Sequence, residues 1–352
     1  MASTPKPQGT AHAYPSISLP RALHDDAPFA SYAALSHLPE HPATATASRD
    51  AWSRIVDAVR LHHPPSAELS FHTMALWYGD PAFSLSRIGG FVVVDLADAP
   101  RHVTVIALPG ARTSQPVVAQ LAALLRTYDV RLMSEPTAEA LVPAAAMAGT
   151  SLAADRDMAD YILSMDALAS LDGPEFSAKR REVRRLQRKY GERLELRQGD
   201  LNEPWAQAHL AAATRRWIDR KFSSPAGISA AVRREWRGIL RWADEPSAAE
   251  LRLFGVLLDG EPVAASVVTS MWNGTWMGLV MKTDPTIAGL TPYLRQQVAR
   301  AGVRELGAGT EFNVQQDDGL PGLRKAKTSY RPVRLVPKYS VVRTGQAVLE
   351  AA

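Results

Sequence analysis

Four cations, Arg324, Lys325, Lys327 and Arg331, follow Gly319, Pro321 and Gly322 in one short segment that Pro332 closes. Glycine and proline at such positions set tight backbone geometry, and cations at these spacings bring their heads near one spot, which suits an anion. Just upstream lie Glu311, Asp317 and Asp318, with Asn313 among them; a carboxylate there could move a proton or grip an ammonium group. All nine histidines lie at or before His209, so the segment has no local imidazole base. His62-His63 ends a helix before two prolines and reads as structural or surface. There is no Gly-x-Ser-x-Gly nucleophile elbow and no His-Glu-x-x-His. Cysteine is absent, which removes disulfides, thiolate zinc sites and a cysteine nucleophile. The sequence thus argues against Ser-His catalysis and metallohydrolysis, and no metal is expected. Direct transfer from an already activated donor would need less equipment, since alignment and charge do most of the work.

A second cluster could hold that donor. Arg180, Arg184 and Arg188 are spaced by four, as are Arg181, Arg185 and Lys189, and Lys179 precedes them. On a helix these form two adjacent positive ridges, while Val183, Leu186 and Tyr190 supply an apolar side for docking. A solvated face and a phosphate track are both consistent with the pattern; the track would neutralise backbone charge without reading sequence. Charge is uneven along the chain. Residues 1–165 carry 11 Lys and Arg against 15 Asp and Glu, a balance of −4, which leaves +8 for residues 166–352. The basic half is where a polyanion would dock.

The elements that must position these groups can be read coarsely. At 352 residues the chain is expected to form two domains. Residues 1–45, rich in Pro, Ala, Ser and Thr, read as a loosely ordered arm. A helix capped by Asp50 then stops before Pro64, followed by strands at 83–86, 90–96 and 102–108, a helix over 116–128 and a short strand at 131–134. In the second half the basic helix spans 174–190. A strand at 193–198 follows, with helices at 204–219 and 229–242. Strands 251–258 and 262–270 flank the turn Asp259-Gly260-Glu261. Then come a strand at 275–281, a helix over 290–301, a strand near Glu305 and a last strand at 335–342. Hairpin, strand, helix and strand in this order are what a GNAT-like domain requires.

The segment GLPGLRKAKTSYRP, Gly319 to Pro332, with Lys338-Tyr339 after it, resembles the catalytic domain of phosphatidylglycerol lysyltransferase and its soluble relatives. DYILSMDALASLDGPEFSAKRREVRRLQRKY, Asp160 to Tyr190, resembles that family's second-domain opening, and ELSFHTMALW, Glu68 to Trp77, its first-domain opening. The resemblance implies an α/β (α+β) fold of two tandem GNAT-like domains, each a mixed sheet flanked by helices. The boundaries expected are an arm over 1–45, a supporting domain over 46–160, a catalytic domain over 161–345 and a tail over 346–352.

It also implies an aminoacyl-tRNA donor and no further cofactor. Lys327 stands at the motif's lysine position and is assigned to the leaving hydroxyl or terminal phosphate region of the tRNA. Arg324 and Arg331 would position phosphate or carboxylate groups, a task suited to the guanidinium fork. One of Glu311, Asp317 and Asp318 would recognise the donor ammonium or take the acceptor's proton, with Asn313 and Tyr330 as hydrogen-bonding neighbours. Lys179, Arg180, Arg181, Arg184, Arg185 and Arg188 would track the acceptor stem. The link from Glu311 to the lysine segment is shorter than in the lipid-modifying enzymes, which are usually joined to a membrane domain.

No window here approaches the roughly 20 apolar residues of a membrane helix, and the N-terminus does not read as a secretory signal. The expectation is a cytoplasmic protein without stable membrane insertion that acts in specialised biosynthesis such as that of an antibiotic. Its acceptor would be a small soluble amine, hydroxylamine or alcohol, and seryl transfer to a hydroxylamine is one known style within the family's reach. An acyl-CoA-dependent N-acyltransferase is the alternative enzyme; it would need a pyrophosphate loop near 284–290, because the match Arg304 to Gly309, RELGAG, falls after a helix. Aminoacyl-phosphatidylglycerol synthesis and non-catalytic RNA binding are further alternatives.

Overall fold

The computed structural model describes residues 35–79, 83–96, 101–244 and 250–343. The first unit contains β1 (Ala45–Thr46), α1 (Arg49–Val59), α2 (Phe71–Tyr78), β2 (Ser84–Ile88), β3 (Phe91–Asp95), β4 (His102–Ala107), α3 (Gln115–Thr127), β5 (Asp129–Val130) and α4 (Glu135–Ala148). Its five strands pair in chain order. The unbroken apolar run of β3 reflects a sheet covered on both faces. Phe91 and Val93 face α3 and α4, while Val92 and Val94 face α1 and α2. Ser48, not Asp50, caps α1: its hydroxyl accepts from the Ala51 amide at 3.1 Å, and Asp50 sits in the first turn. Leu35 and Leu38 pack into this core, so the end of the expected arm belongs to the fold. The remainder of that arm, 1–34, and the tail 346–352 lie outside the described residues.

The second unit contains β6 (Thr150–Ser164), α5 (Met165–Ser170), α6 (Ser177–Tyr190), β7 (Leu194–Asp200), α7 (Pro204–Lys221), α8 (Ala230–Asp244), β8 (Arg252–Leu258), β9 (Glu261–Ser270) and β10 (Thr275–Thr283). It ends with α9 (Leu290–Leu306), β11 (Glu311–Asn313), α10 (Pro321–Thr328) and β12 (Arg334–Arg343). The seven-stranded order is β12-β6-β11-β10-β9-β8-β7. The hairpin, antiparallel strand, helix and parallel strand of a GNAT-like domain are therefore realised, and the architecture is two mixed sheets flanked by helices.

Several elements differ from the sequence pattern. The strand expected near Glu305 is β11 instead, because Glu305 belongs to the last turn of α9. The cationic segment is helical: Asp318 and Gly319 turn the chain with positive φ, and Pro321 then opens α10, where its missing amide costs nothing. α4 and β6 were not singled out by periodicity. The first is alanine-rich with a weak apolar stripe, and the second is half-exposed along its first nine residues. β6 also runs unbroken across residue 160, and β12 pairs with it from Thr150 to Ile162. Met133 of the first unit bridges Tyr339 of β12, with amide-to-carbonyl distances of 3.0 and 2.8 Å. The two sheets are thus joined by backbone as well as by packing.

Candidate functional site

The site begins where two parallel strands part. β10 and β11 pair for three residues only, Thr275 with Glu311, Trp276 with Phe312 and Met277 with Asn313. Beyond them β10 carries a register shift at Gly278, where a Cβ would sit 2.9 Å from the Phe312 ring. β11 ends as Gln315 takes a φ of 59°. The Gln315 side-chain amide spans the opening, donating to the Gly278 carbonyl at 2.6 Å and the Leu279 carbonyl at 3.2 Å.

Lys327, from the last turn of α10, closes this end of β11. Its buried ammonium donates to the carbonyls of Val314 at 2.7 Å and Gln315 at 3.1 Å, and to that of Gln316. Burial lowers its pKa to about 8, with Asp160 opposing the shift and Arg295 adding to it. α10 is anchored a turn earlier. Arg324 forks onto Asp317, Nε to Oδ2 and Nη2 to Oδ1 both at 2.9 Å, and also reaches Asp157. Asp317 in turn accepts from the Tyr161 hydroxyl and from the Gly319 amide at 3.0 Å. Burial would raise its pKa, but Arg324 and Tyr161 outweigh that and hold it below the usual carboxylate range. This carboxylate is therefore an ionised anchor, with its oxygens committed.

A buried charge network lies on the other side of β11. The Lys338 ammonium sits 2.7 Å from both Glu68 Oε1 and Asp160 Oδ1, and 3.2 Å from Gln316 Oε1. Asp160 Oδ2 accepts from the Ala67 amide at 2.7 Å and from Asn313 Nδ2 at 2.9 Å. Asn313 also donates to the Pro65 carbonyl at 2.9 Å. Burial alone would depress Lys338, but Asp160 and Glu68 prevail and hold its pKa up. Glu68 comes from the first unit, so one ion cluster fastens that unit to the end of β11.

On the outer side stands Tyr330, buried just after α10. Lys179 of α6 lies 4.6 Å from its ring centroid and Arg295 of α9 lies 4.3 Å from it, both within cation–π range. α6 packs by Val183 and Leu186, and its Arg181, Arg184, Arg185 and Arg188 face solvent. Arg180 is turned back onto the carbonyls of Leu171 and Gly173, the latter at 2.8 Å.

The loop from β10 to α9 contains its own anion. Asp284 Oδ1 accepts from the Thr286 amide at 2.9 Å and its hydroxyl at 2.6 Å, while Oδ2 accepts from Arg216 at 2.6 Å. Burial pushes this carboxyl up, yet those partners keep it below its ordinary range. The Ile287 and Leu290 amides bond within the loop at 3.2 and 3.3 Å. Nearby, Lys282 pairs with Glu235 at 2.6 Å beneath the Trp217 ring. A cavity of about 350 Å³ opens between α7 and α8, lined by Trp236, Ile218, Val232 and Arg215.

Of the residues expected to act, Lys327, Arg324, Asp317, Tyr330 and Lys179 gather around α10. Glu311 does not join them. It begins β11, at the opposite end from the Lys327 carbonyls, and accepts from Arg334 at 3.1 and 2.5 Å. Arg331 is exposed with a φ of 53°, and Asn313 is sealed in the ion cluster. Sequence reasoning missed Glu68, Asp160 and Arg295. A charged residue between apolar neighbours, as at Glu68 between Ala67 and Leu69, was the available signal for the first; Arg295, followed by Gln296 and Gln297, carried none.

Residues 60–342 match the family described as phosphatidylglycerol lysyltransferase, C-terminal. No curated protein matches the chain. A conserved protein of unknown function from Bacteroides thetaiotaomicron superposes with a TM-score of 0.69 at 20% identity, covering 85% of this chain and 98% of that one. L-PGS from Bacillus licheniformis gives 0.55 at 16% identity, covering 89% and 96%. At these identities the likeness is one of fold. Among the described residues, no helix is long and apolar enough to cross a membrane.

Proposed function

The chain belongs to the phosphatidylglycerol lysyltransferase C-terminal family and is an aminoacyltransferase in kind, and from this we propose that it takes its aminoacyl group from aminoacyl-tRNA. The proposed acceptor is a small soluble amine, hydroxylamine or alcohol, in a specialised cytoplasmic pathway, with seryl transfer as one form. One observation carries the reading: Lys179, at the head of the solvent-facing basic helix, touches Tyr330 beside α10. A polyanion lying along α6 would therefore deliver its end to the opening between β10 and β11.

In the transfer, the acceptor's lone pair attacks the ester carbonyl, the carbon–ribose oxygen bond breaks, and the acceptor's proton ends on the ribose hydroxyl. An ester is already activated, so alignment and charge suffice. In this scheme Lys327 is a positioning residue that fixes the Val314–Gln316 carbonyls, and Arg324 with Asp317 fixes α10. Asp318 lies beside them, bonded to Gln316, and burial holds its carboxyl above the ordinary carboxylate range against Lys327 and Gln316; it is the carboxylate assigned to the donor ammonium or the acceptor's proton.

The β10–α9 loop supports a donor other than acyl-CoA. A pyrophosphate cradle needs unpaired amides, and here the Thr286 amide serves Asp284, whose own ionised carboxylate would repel phosphate.

The test supplies the purified protein with single charged, radiolabelled tRNAs and small-molecule extract from its host. Label leaving one tRNA into an acid-soluble product, and retained on that tRNA by an Arg184→Glu/Arg188→Glu protein, is the expected result. Retention on every tRNA together with turnover of acetyl-CoA would overturn the reading.

A further inference from the structure

Arg295 carries a charge that the fold does not balance. Its Nε and Nη1 atoms are sealed from solvent without a hydrogen-bond partner, and Nη2 meets only the Met281 sulfur at 3.6 Å. A guanidinium stays charged in proteins and presents its donors as a rigid fork. Leaving such a group unpaired in the interior is strongly unfavourable. The groups around it add to the problem. Lys179 shares the Tyr330 ring with it, and Lys327 is near enough that each cation disfavours the other's charge. The carboxylate felt at that ring is Glu182, which does not bond to Arg295. An excess of positive charge around one aromatic ring, with an open fork, is an arrangement completed by an anion.

We propose that Arg295 and Lys179, from two different helices and both against Tyr330, form a subsite for a single phosphate group. The proposal rests on the tRNA reading for its preferred ligand, the phosphodiester nearest the 3′ end of the donor. α6 runs on from Lys179 through Arg184 and Arg188, so a backbone tracked by those residues reaches Arg295 last. Arg295 is part-exposed as a residue while its Nε and Nη1 atoms are sealed, so occupation of the subsite requires the fork to turn toward a phosphate beside Lys179. The same chemistry would accept a phosphate of a CoA-type donor or a free phosphate ion, and the experiment separates these sources.

Binding is measured on the full chain with four probes: a CCA-ended RNA minihelix, the same minihelix lacking its terminal adenosine and that phosphate, CoA, and inorganic phosphate. The proteins are wild type, Arg295→Met, Arg295→Lys and Lys179→Met, each with its urea midpoint. The wild type is expected to prefer the complete minihelix. Arg295→Met should weaken it roughly ten- to a hundredfold, the worth of a charged hydrogen bond, reduce the salt slope by about one, and abolish the preference. Its folding midpoint should match or exceed wild type, since an unbalanced buried charge is gone. Lys179→Met should act on binding in the same direction, and Arg295→Lys should retain the salt slope while losing part of the preference. Unchanged RNA binding in Arg295→Met and Lys179→Met, or a lowered midpoint with unchanged binding, would overturn the subsite. If CoA or phosphate binds through Arg295 and the minihelix does not, the subsite stands and the tRNA reading falls.

Discussion

The Lys327 ammonium and the Val314 carbonyl oxygen are 2.7 Å apart, and this contact sets where the chain leaves β11. The Gln315 carbonyl still accepts from the Tyr161 amide of β6 at 3.2 Å, and the buried ammonium adds a charged donor to the carbonyls of Val314, Gln315 and Gln316 as the chain leaves β11. Lys327 thereby shapes the opening between β10 and β11 from behind.

Lys327→Met should destabilise the protein by about 2–4 kcal/mol, because buried carbonyls lose a charged donor. Urea unfolding beside transfer kinetics checks this. A fall in kcat at unchanged stability would instead mark direct contact with the reacting groups.

Lys338→Met should cost more, about 3–5 kcal/mol, since it leaves Glu68 and Asp160 buried without their cation. Adding Glu68→Gln to the variant should recover part of the loss. Chemical denaturation of the single and double variants measures the coupling.

Stability should fall in mild acid through His63 and His72. Both are buried, and burial lowers each pKa from 6.5 to about 4. Between those values the unfolded chain binds protons that the folded chain does not. Stability is therefore intact above pH 6.5 and lost as pH drops toward 4, by at most about 3 kcal/mol per imidazole. His63 also bonds Ser134 at 2.8 Å and the Ala107 carbonyl at 2.9 Å. A His72→Gln protein should show a shallower slope between pH 6.5 and 4.5, read from urea midpoints.

Arg184→Glu with Arg188→Glu should weaken binding of charged tRNA and lower its salt slope by about 2 or more, while stability moves by no more than about 0.5 kcal/mol. Filter binding across a salt series decides between a phosphate track and a merely solvated face.

Gly289→Ala should destabilise by about 1–3 kcal/mol. Its φ is 86°, and an added Cβ would stand 2.5 Å from the Glu182 carbonyl of α6. The contact ties the β10–α9 loop to the basic helix, so RNA affinity should fall along with the melting temperature.

Period and punctuation made much of the fold legible. The apolar runs of β8 and β9 on either side of Asp259-Gly260, and the charge-ridged α6 with its Val183 and Leu186 stripe, are local patterns that survive in the structure because nothing distant opposes them. The cationic segment was legible as a cluster as well, since its residues are neighbours in sequence. The partners were not. Lys327 faces carbonyls eleven to thirteen positions upstream, and Lys338 meets Glu68 across 270 positions. Whether a lysine points to solvent, to substrate or into a carbonyl cage depends on which elements the sheet order brings beside it, and no periodicity encodes that. β6 shows the same limit: its strand character comes from pairing with β12, formed by the far end of the chain. Sequence by itself determined which charges exist and on which helices they lie. Only the tertiary structure decided which of them are matched, because burial and pairing are set by contacts between segments far apart in the chain, and it left Arg295 with two sealed guanidinium nitrogens that lack a partner.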